Sequence, residues 1–282
     1  MRTIYMLMHR HKPDAVELAR QVIASFARVG ISVSVEPWLA QRLGEGGGIR
    51  AGMPQTCEAV VAIGGDGTLL RANEVAMEQG VPLLGVNVGR VGFLAEVELD
   101  RLEAACECLA DGRYELEERM MLKAEADGKT MLALNDVVVS RGGYSRLIGI
   151  NAWVDGDQIG RFIADGLIVS TPTGSTGYSL SAGGPIVCPE VACMLVTPIC
   201  AHSLQHRPVV TSSTQTITIQ LDGDYHAMIA ADGREPIRFL SGQTLTITRS
   251  SQPARFIRLE PKSFFSTIRV KLSEWSQGAC NK

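Results

Sequence analysis

The sequence predicts an α/β domain followed by an all-β domain, closed by a helix that returns to the first. Three observations carry this. Apolar runs alternate with helix-period stretches over the first hundred residues; beyond about residue 120 the period falls to two; and a helical pattern resumes in SFFSTIRVKLSEW near the end. Side chains recur every 3.6 residues on one face of a helix and every 2 on one face of a strand, so a change of period marks a change of architecture. The expected divisions are an α/β domain over 1–118, an all-β domain over 119–262 and a terminal helix over 263–282.

In chain order, TIYMLM reads as a strand and PDAVELARQVIASFARVG as a helix. Pro13 suits a first turn, Val16, Ala19, Val22 and Phe26 keep helical spacing, and Gly30 stands where a helix stops. ISVSVE is a second strand, and QRLGEGGGIR an exposed loop. AVVAI, TLLRANEVAMEQ and VPLLGVN continue as strand, helix, strand. A βαβ series of this kind implies a mainly parallel, Rossmann-like sheet with helices on its faces. The later runs MLALNDVVVS, LIGINAWVD, QTITIQLD, HAMIAAD, QTLTITR and RFIRLE are short and β-type, with Asp-Gly turn signals at 127/128, 155/156, 222/223 and 232/233. They imply a β-sandwich or a related all-β domain.

Composition narrows the partners. Of the 282 residues 45% are hydrophobic and 20% charged, which is globular rather than disordered. Lys and Arg total 27 against 30 Asp and Glu, a formal net charge of −3 with no dense basic cluster, so nucleic acid is not an expected partner. The start, MRTIYMLMHRHK, closes its short apolar run with charge and does not read as an export signal. The longest stretch without Asp, Glu, Lys or Arg, Gly166 to Pro189, is rich in Ser, Thr, Gly and Pro, unlike a membrane span. No membrane partner is expected, and the cytoplasm is the expected compartment. The seven cysteines include no CxxC pair and read as reduced thiols, with no metal ligands among the candidate residues.

AIGGDGTLLRANE, 62–74, sets an aspartate among glycines between a strand and a helix. Ligands of open α/β sheets bind at the carboxyl ends of the strands, and glycines let phosphate approach backbone N–H groups at a helix start. The alternative is a plain βα turn. No GxGxxG fingerprint follows a strand, and the GKT at 128–130 has Lys123 where a P-loop needs its leading glycine. A carboxylate among phosphate-binding amides repels phosphate unless it handles a proton or a cation. Asp66 is therefore a candidate general base or Mg2+ contact, with capping of the next helix as the structural reading.

DGLIVSTPTGSTGYSLSAGGPIV, 165–187, enters and leaves through apolar strands, which a disordered linker rarely does. Its hydroxyls and glycine amides suit ribose and phosphate oxygens, Tyr178 a ring, and Asp165 an amide or hydroxyl. In ALNDVVVSRG, adjacent Asn135 and Asp136 either point to opposite faces of a strand, lie at a strand end, or form a turn.

Taken together, GlyGlyAspGlyThr at 64–68, GVNVGRVGFLAEV at 85–97, AsnAsp at 135/136, the 165–187 segment and PICAHSLQHRPVV at 198–210 resemble the NAD kinase family, bacterial type. The first loop also occurs in 6-phosphofructokinases and diacylglycerol or sphingosine kinases; the 165–187 segment is far more specific. The resemblance implies phosphorylation of the adenosine ribose 2'-hydroxyl of NAD to NADP, with ATP or polyphosphate as donor and Mg2+ or another divalent cation. It implies Asp66 as catalytic base, Gly65 and Gly67 at the donor phosphates, and Asn135 and Asp136 on NAD. Asp165, Thr173, Thr176, Gly177, Tyr178, Ser179, Leu180 and Ser181 would line the dinucleotide site. Phe93 matches a segment near the adenine, and Arg71, Arg146, Ile163 and Arg234 match ligand-contacting positions. Asp136 stands where many members have Glu, Gly177 where Ala is frequent, Ile163 where a polar or basic residue occurs, and Ala201 where PICPHSL has proline. The family also implies a homodimer or homotetramer. Two rivals remain: a lipid or sugar kinase with the same first loop, and a non-catalytic NAD-binding sensor.

Overall fold

The computed structural model describes residues 2–10, 12–44, 49–88, 92–143, 147–203, 205–260 and 263–280. The chain forms two compact units, 1–118 together with 255–282, and 119–254.

The first unit begins with β1 (Thr3–Met8), α1 (Ala15–Arg28), β2 (Ser32–Val35), α2 (Pro37–Leu43), β3 (Arg50–Ala51), β4 (Ala59–Ile63), α3 (Asp66–Gln79), β5 (Leu83–Asn87), β6 (Val97–Glu98), α4 (Leu102–Asp111) and β7 (Glu115–Arg119). β1 pairs in parallel with β2 and β4, and β4 with β5, as the βαβ alternation implied. β1, β4 and β5 are buried along their whole length, the mark of strands covered on both faces. α1 buries Ala15, Leu18, Ala19, Val22, Ser25 and Phe26 on one face, one step from the expected stripe because Val16 is only half-buried. α3 ends at Gly80 in the left-handed conformation, φ 64. α2 has Pro37 in its first turn, and its last residues, 41–43, are helix where the sequence suggests the start of the loop 41–50; residues 45–48 of that expected loop lie outside the described residues.

The second unit contains β8 (Leu122–Ala126), β9 (Lys129–Ala133), β10 (Asp136–Arg141), β11 (Ile148–Val154), β12 (Asp157–Ala164), β13 (Gly166–Ser170), the short α5 (Tyr178–Ser181), β14 (Cys193–Ile199), β15 (Val209–Ser212), β16 (Ile217–Leu221), β17 (His226–Ala231), β18 (Ile237–Leu240) and β19 (Leu245–Arg249). Its strands form two six-stranded antiparallel sheets, ordered β15-β14-β13-β10-β17-β18 and β12-β11-β16-β19-β8-β9. One apolar cluster draws Val137, Val139, Leu167, Val169 and Ile229 from the first and Ile150, Phe162, Ile219 and Ile247 from the second, so this is a β-sandwich. Three of the four Asp-Gly signals form turns with φ positive at both residues: Asp127 51 and Gly128 70, Asp155 50 and Gly156 92, Asp232 50 and Gly233 66.

The chain then re-enters the first unit through β20 (Ala254–Arg258) and α6 (Phe264–Cys280). RFIRLE, grouped by its period with the all-β runs, instead pairs with β5 in parallel, Phe256 opposite Leu83. It closes an eight-stranded sheet between β5 and β7. Period alone does not say which sheet a strand joins. α6 sets Lys271 Nζ 5.9 Å above the Phe93 ring. Among the described residues no helix is long and apolar enough to cross a membrane.

Candidate active site

The glycine loop follows β4 and opens α3, at the carboxyl edge of the parallel sheet. Gly64, φ 157, has an internal reason to lack a side chain, since a Cβ there would fall 2.5 Å from Thr68 Oγ1. Gly65 and Gly67 have none: both are exposed, neither has positive φ, and no atom lies within 4 Å of where a Cβ would stand. The Thr68 and Leu69 amides are already taken by the Gly65 carbonyl, at 2.9 and 3.2 Å, and the bareness of the two glycines leaves the start of α3 open to an approaching group.

Asp66 is the first residue of α3, whose N-cap is Gly65, and among the described residues its side chain bonds amides outside the helix. The capping reading therefore gives way to another. The Phe93 amide donates to Asp66 Oδ2 at 3.1 Å and the Leu94 amide to Oδ1 at 3.3 Å. The carboxylate is half-buried and held in one orientation, and it retains lone pairs for a hydroxyl donor. Gly92 makes this possible, because a Cβ on it would sit 2.2 Å from Asp66 Oδ1. Phe93, expected near the adenine, thus serves Asp66 through its backbone.

Arg71, on the next turn of α3, is committed inside the first unit. Its Nη2 donates to the Met8 carbonyl at 2.8 Å and to Glu36 Oε2 at 3.0 Å, while its Nε is buried with no partner among the described residues. Glu36, whose side chain is 8% exposed, also accepts the Met8 amide and lies 3.5 Å from Arg10.

In the second unit Asp136 is the first residue of β10 and Asn135 lies just before it, so the pair sits at a strand end. Beneath them is a residue that sequence reading passed over. Asp232 Oδ2 accepts the Leu134 amide at 2.7 Å, and Oδ1 accepts those of Asn135 at 2.8 Å and Asp136 at 3.2 Å. The only sequence signal for it was its Asp-Gly turn. Asp136 is 6% exposed, and burial, then the negative Asp232, push its carboxyl up to about 7. Burial raises Asp232 as well, opposed by the three amides and Arg234. The amides and Arg234 favour charge on Asp232, while burial and that charge hold the Asp136 carboxyl well above its ordinary value. Directly opposite Asp136 on β13 is Ser170, and cross-strand partners project to the same face. Ser170 Oγ and Asn135 Oδ1 are both buried and lack partners among the described residues, a costly state that a ligand hydroxyl or amide would relieve.

The 165–187 segment is ordered by its own hydroxyls. Thr171 Oγ1 donates to the Leu134 carbonyl at 2.6 Å and accepts the Gly174 amide at 3.0 Å, tying the segment to the Asn135 turn. Gly174 is indispensable there: its Cβ would fall 2.0 Å from the Asn135 carbonyl oxygen. Gly177 passes near the Asn135 side-chain nitrogen, 3.7 Å from the position of its absent Cβ. Thr173 accepts from Arg119 at 3.3 Å, and Thr176 donates to the Thr173 carbonyl. Ser179 differs from its expected lining role, because it is fully buried and its hydroxyl pairs with Thr197 at 3.0 Å; position two on from Gly177 turns it inward. Tyr178 and Ser181 are exposed and Leu180 half-buried. Asp165, expected to meet a ligand, forms an ion pair with Arg141 at 3.2 Å. Arg234 Nε donates to the Ala231 carbonyl and its Nη2 to that of Leu132, bracing the Asp232 turn. Ile163 lies half-buried on β12 and its carbonyl accepts the His202 amide. Arg146 lies outside the described residues.

Fold and first loop together define the class, a GlyGlyAspGly kinase built from a parallel α/β unit and a β-sandwich. Known proteins narrow it further. The ATP-NAD kinase N-terminal domain matches residues 4–114 and the ATP-NAD kinase C-terminal domain residues 134–259. An NAD kinase of Moorella thermoacetica is 39% identical over 97% of this chain and 90% of its own, and one of Geobacter sp. strain M21 is 40% identical over 98% and 100%. Among solved structures, a yeast NADH kinase complexed with NADH superposes with a TM-score of 0.84 at 26% identity, covering 95% of this chain and 86% of that one. An NAD kinase from Archaeoglobus fulgidus in complex with ATP gives 0.74 at 26% identity, covering 95% and 99%. The chain belongs to the NAD kinase family.

Proposed function

We propose that this chain, an NAD kinase and hence a phosphotransferase, uses ATP to phosphorylate the 2'-hydroxyl of the adenosine ribose of NAD, with Asp66 as the general base. The observation that carries the chemical assignment is Asp66 itself: a carboxylate fixed by two amides, beside two glycines whose bareness no neighbour among the described residues requires. Asp66 accepts the 2'-hydroxyl proton as that oxygen forms its bond to the terminal phosphorus and the bond to the bridging oxygen breaks, releasing ADP. Base catalysis of this kind contributes roughly 10² to 10⁴ in rate. The rest of the acceleration comes from alignment and charge neutralisation, the main demands of phosphoryl transfer. The amides around Gly65 and Gly67 hold donor phosphate oxygens.

Among the described residues no three His, Cys, Asp or Glu side chains gather into a metal cage. Asp66, a single fixed carboxylate at the glycine loop, fits Mg2+, which keeps its waters and binds through substrate phosphates and one or two carboxylates. Bound with ATP, such an ion would supply charge neutralisation at the phosphates, and Asp66 is the protein carboxylate at the glycine loop that would hold it. Polyphosphate offers the same oxygens and is the second donor to test.

Asn135, Asp136, Thr173, Thr176, Gly177, Tyr178 and Ser181 hold the dinucleotide, a reading supported by the unpartnered Asn135 Oδ1 and Ser170 Oγ and by the exposed Tyr178 ring. The protein assembles as a homodimer or homotetramer, a reading supported by the edge strand β15, where Val210 is 53% exposed; light scattering of the purified chain tests it. The direct test is incubation with NAD, Mg2+ and either ATP or polyphosphate. NADP forms with ATP if the reading holds; ATP loss without NADP, or no turnover at all, contradicts it.

A further inference from the structure

We infer that Glu96 and Arg258 are positioning residues for Asp66, an inference that rests on the general-base reading above. Residues 92–96 lie between two anchors. At one end the Phe93 and Leu94 amides grip the Asp66 carboxylate. At the other, Glu96 fastens the segment to two strands of the sheet. Its amide donates to the Gly85 carbonyl on β5 at 2.9 Å. Its Oε1 accepts the amides of Leu259 at 3.1 Å and Glu260 at 3.3 Å, just past β20. Its Oε2 accepts Arg258 Nη1 at 3.1 Å.

Arg258 joins the two ends. The same Nη1 donates to the Leu94 carbonyl at 3.4 Å, so the residue whose amide holds Asp66 is held through its own carbonyl, on the following peptide, by this guanidinium. Nε is occupied by Glu117, which fixes the plane of the fork. The Glu96 side chain is 2% exposed and that of Arg258 16%. A buried carboxylate is retained at such cost only if its partners are well placed, and here Arg258 reaches both Glu96 and the Leu94 carbonyl while the amides of 259 and 260 tie Glu96 to the end of β20. Gly85 completes the fit: a Cβ there would meet Ala95 Cα at 3.1 Å, so the segment lies directly on β5. Neither Glu96 nor Arg258 touches substrate in this account; they act through the amides of residues 93 and 94.

A planar fork that reaches Leu94, Glu96 and Glu117 at once cannot be replaced by a lysine point charge. Arg258→Lys and Glu96→Gln are therefore measured beside wild type, Asp66→Asn, and the combination of each with Asp66→Asn. Arg101→Ala is the control: Arg101 pairs with Glu260 at 2.8 Å on the exposed side of the same corner. The expected result is a fall in kcat of roughly 10- to 100-fold for each positioning variant, the scale of a misplaced reacting group, with KM for NAD within about threefold of wild type. Arg101→Ala keeps wild-type kcat. In the Asp66→Asn background the same substitutions cost little more, because groups that act through one another are not additive. A purely structural role would lower turnover by the same factor in both backgrounds, and that result overturns the inference. Unchanged kcat in both positioning variants while Asp66→Asn collapses overturns it too and leaves the base assignment standing. Full turnover in Asp66→Asn removes the base assignment itself.

Discussion

Gly92 and Asp66 are so close that a single methyl group on Gly92 would fall 2.2 Å from Asp66 Oδ1 and 3.0 Å from its Cγ. The glycine, 26 residues downstream in sequence, is what allows the carboxylate to take two amide bonds. Gly92→Ala forces the Asp66 side chain out of this orientation with little change to the core. Turnover is expected to fall about 100-fold, the order of cost of displacing a reacting group by an ångström. Steady-state kinetics beside a thermal melt checks this; a Tm near wild type with kcat unchanged would show that the orientation is immaterial.

Gly65→Ala makes the opposite prediction for the free protein. No atom lies within 4 Å of the new Cβ, and Gly65 has φ −94, which any residue adopts. Stability is expected within about 0.5 kcal/mol of wild type, as for ordinary surface changes. The effect appears only when donor phosphates approach, as a KM for ATP raised at least tenfold, read from initial rates at saturating NAD.

Asp136 makes stability depend on pH. Its folded carboxyl titrates at about 7, against an ordinary 3.8, because it is buried beside Asp232. The folded chain therefore holds a proton that the unfolded chain releases. This contribution is fully present below pH 3.8, drains away as pH rises, and is lost above about 7, a change on the order of a few kcal/mol. Asp136→Asn removes it. Urea unfolding of both proteins at pH 5 and pH 8 should show the variant gaining stability on wild type as pH rises; a constant difference would contradict the assignment.

How much of this was legible beforehand differs between the two units. The parallel alternation, the Asp-Gly hairpins and the glycine loop have local signatures, so β1, β2, β4, β5, three of the four turns and the place of Asp66 between strand and helix could be read directly, whereas the two-residue β3 fell in an expected loop. β20 could not, because an apolar strand carries no mark of the sheet it joins. Asp232 and Glu96 were hidden for a related reason. Each acts by accepting backbone amides, from residues 134–136 and from 259–260, and an amide donor has no side-chain signature. Ser179 was misread because a loop rich in hydroxyls does not reveal which face inward. Tyr178, which the sequence suggests as a ring platform, is 46% exposed.

Tyr178→Ala tests that platform. Little packing is lost, so Tm should hold, while loss of one stacked ring, worth about 1 kcal/mol, should raise KM for NAD roughly fivefold to tenfold and leave KM for ATP alone. Tyr178→Phe should keep wild-type affinity. Equal loss in both variants would move the contribution from the ring to the hydroxyl.

The most direct measurement is single-turnover NADP formation by wild type and Asp66→Asn at saturating ATP, Mg2+ and NAD, with NAD affinity of each determined by calorimetry. NAD affinity is expected within several-fold of wild type, with a transfer rate reduced by about 10² to 10⁴. Transfer at the wild-type rate with the asparagine in place would contradict the base assignment.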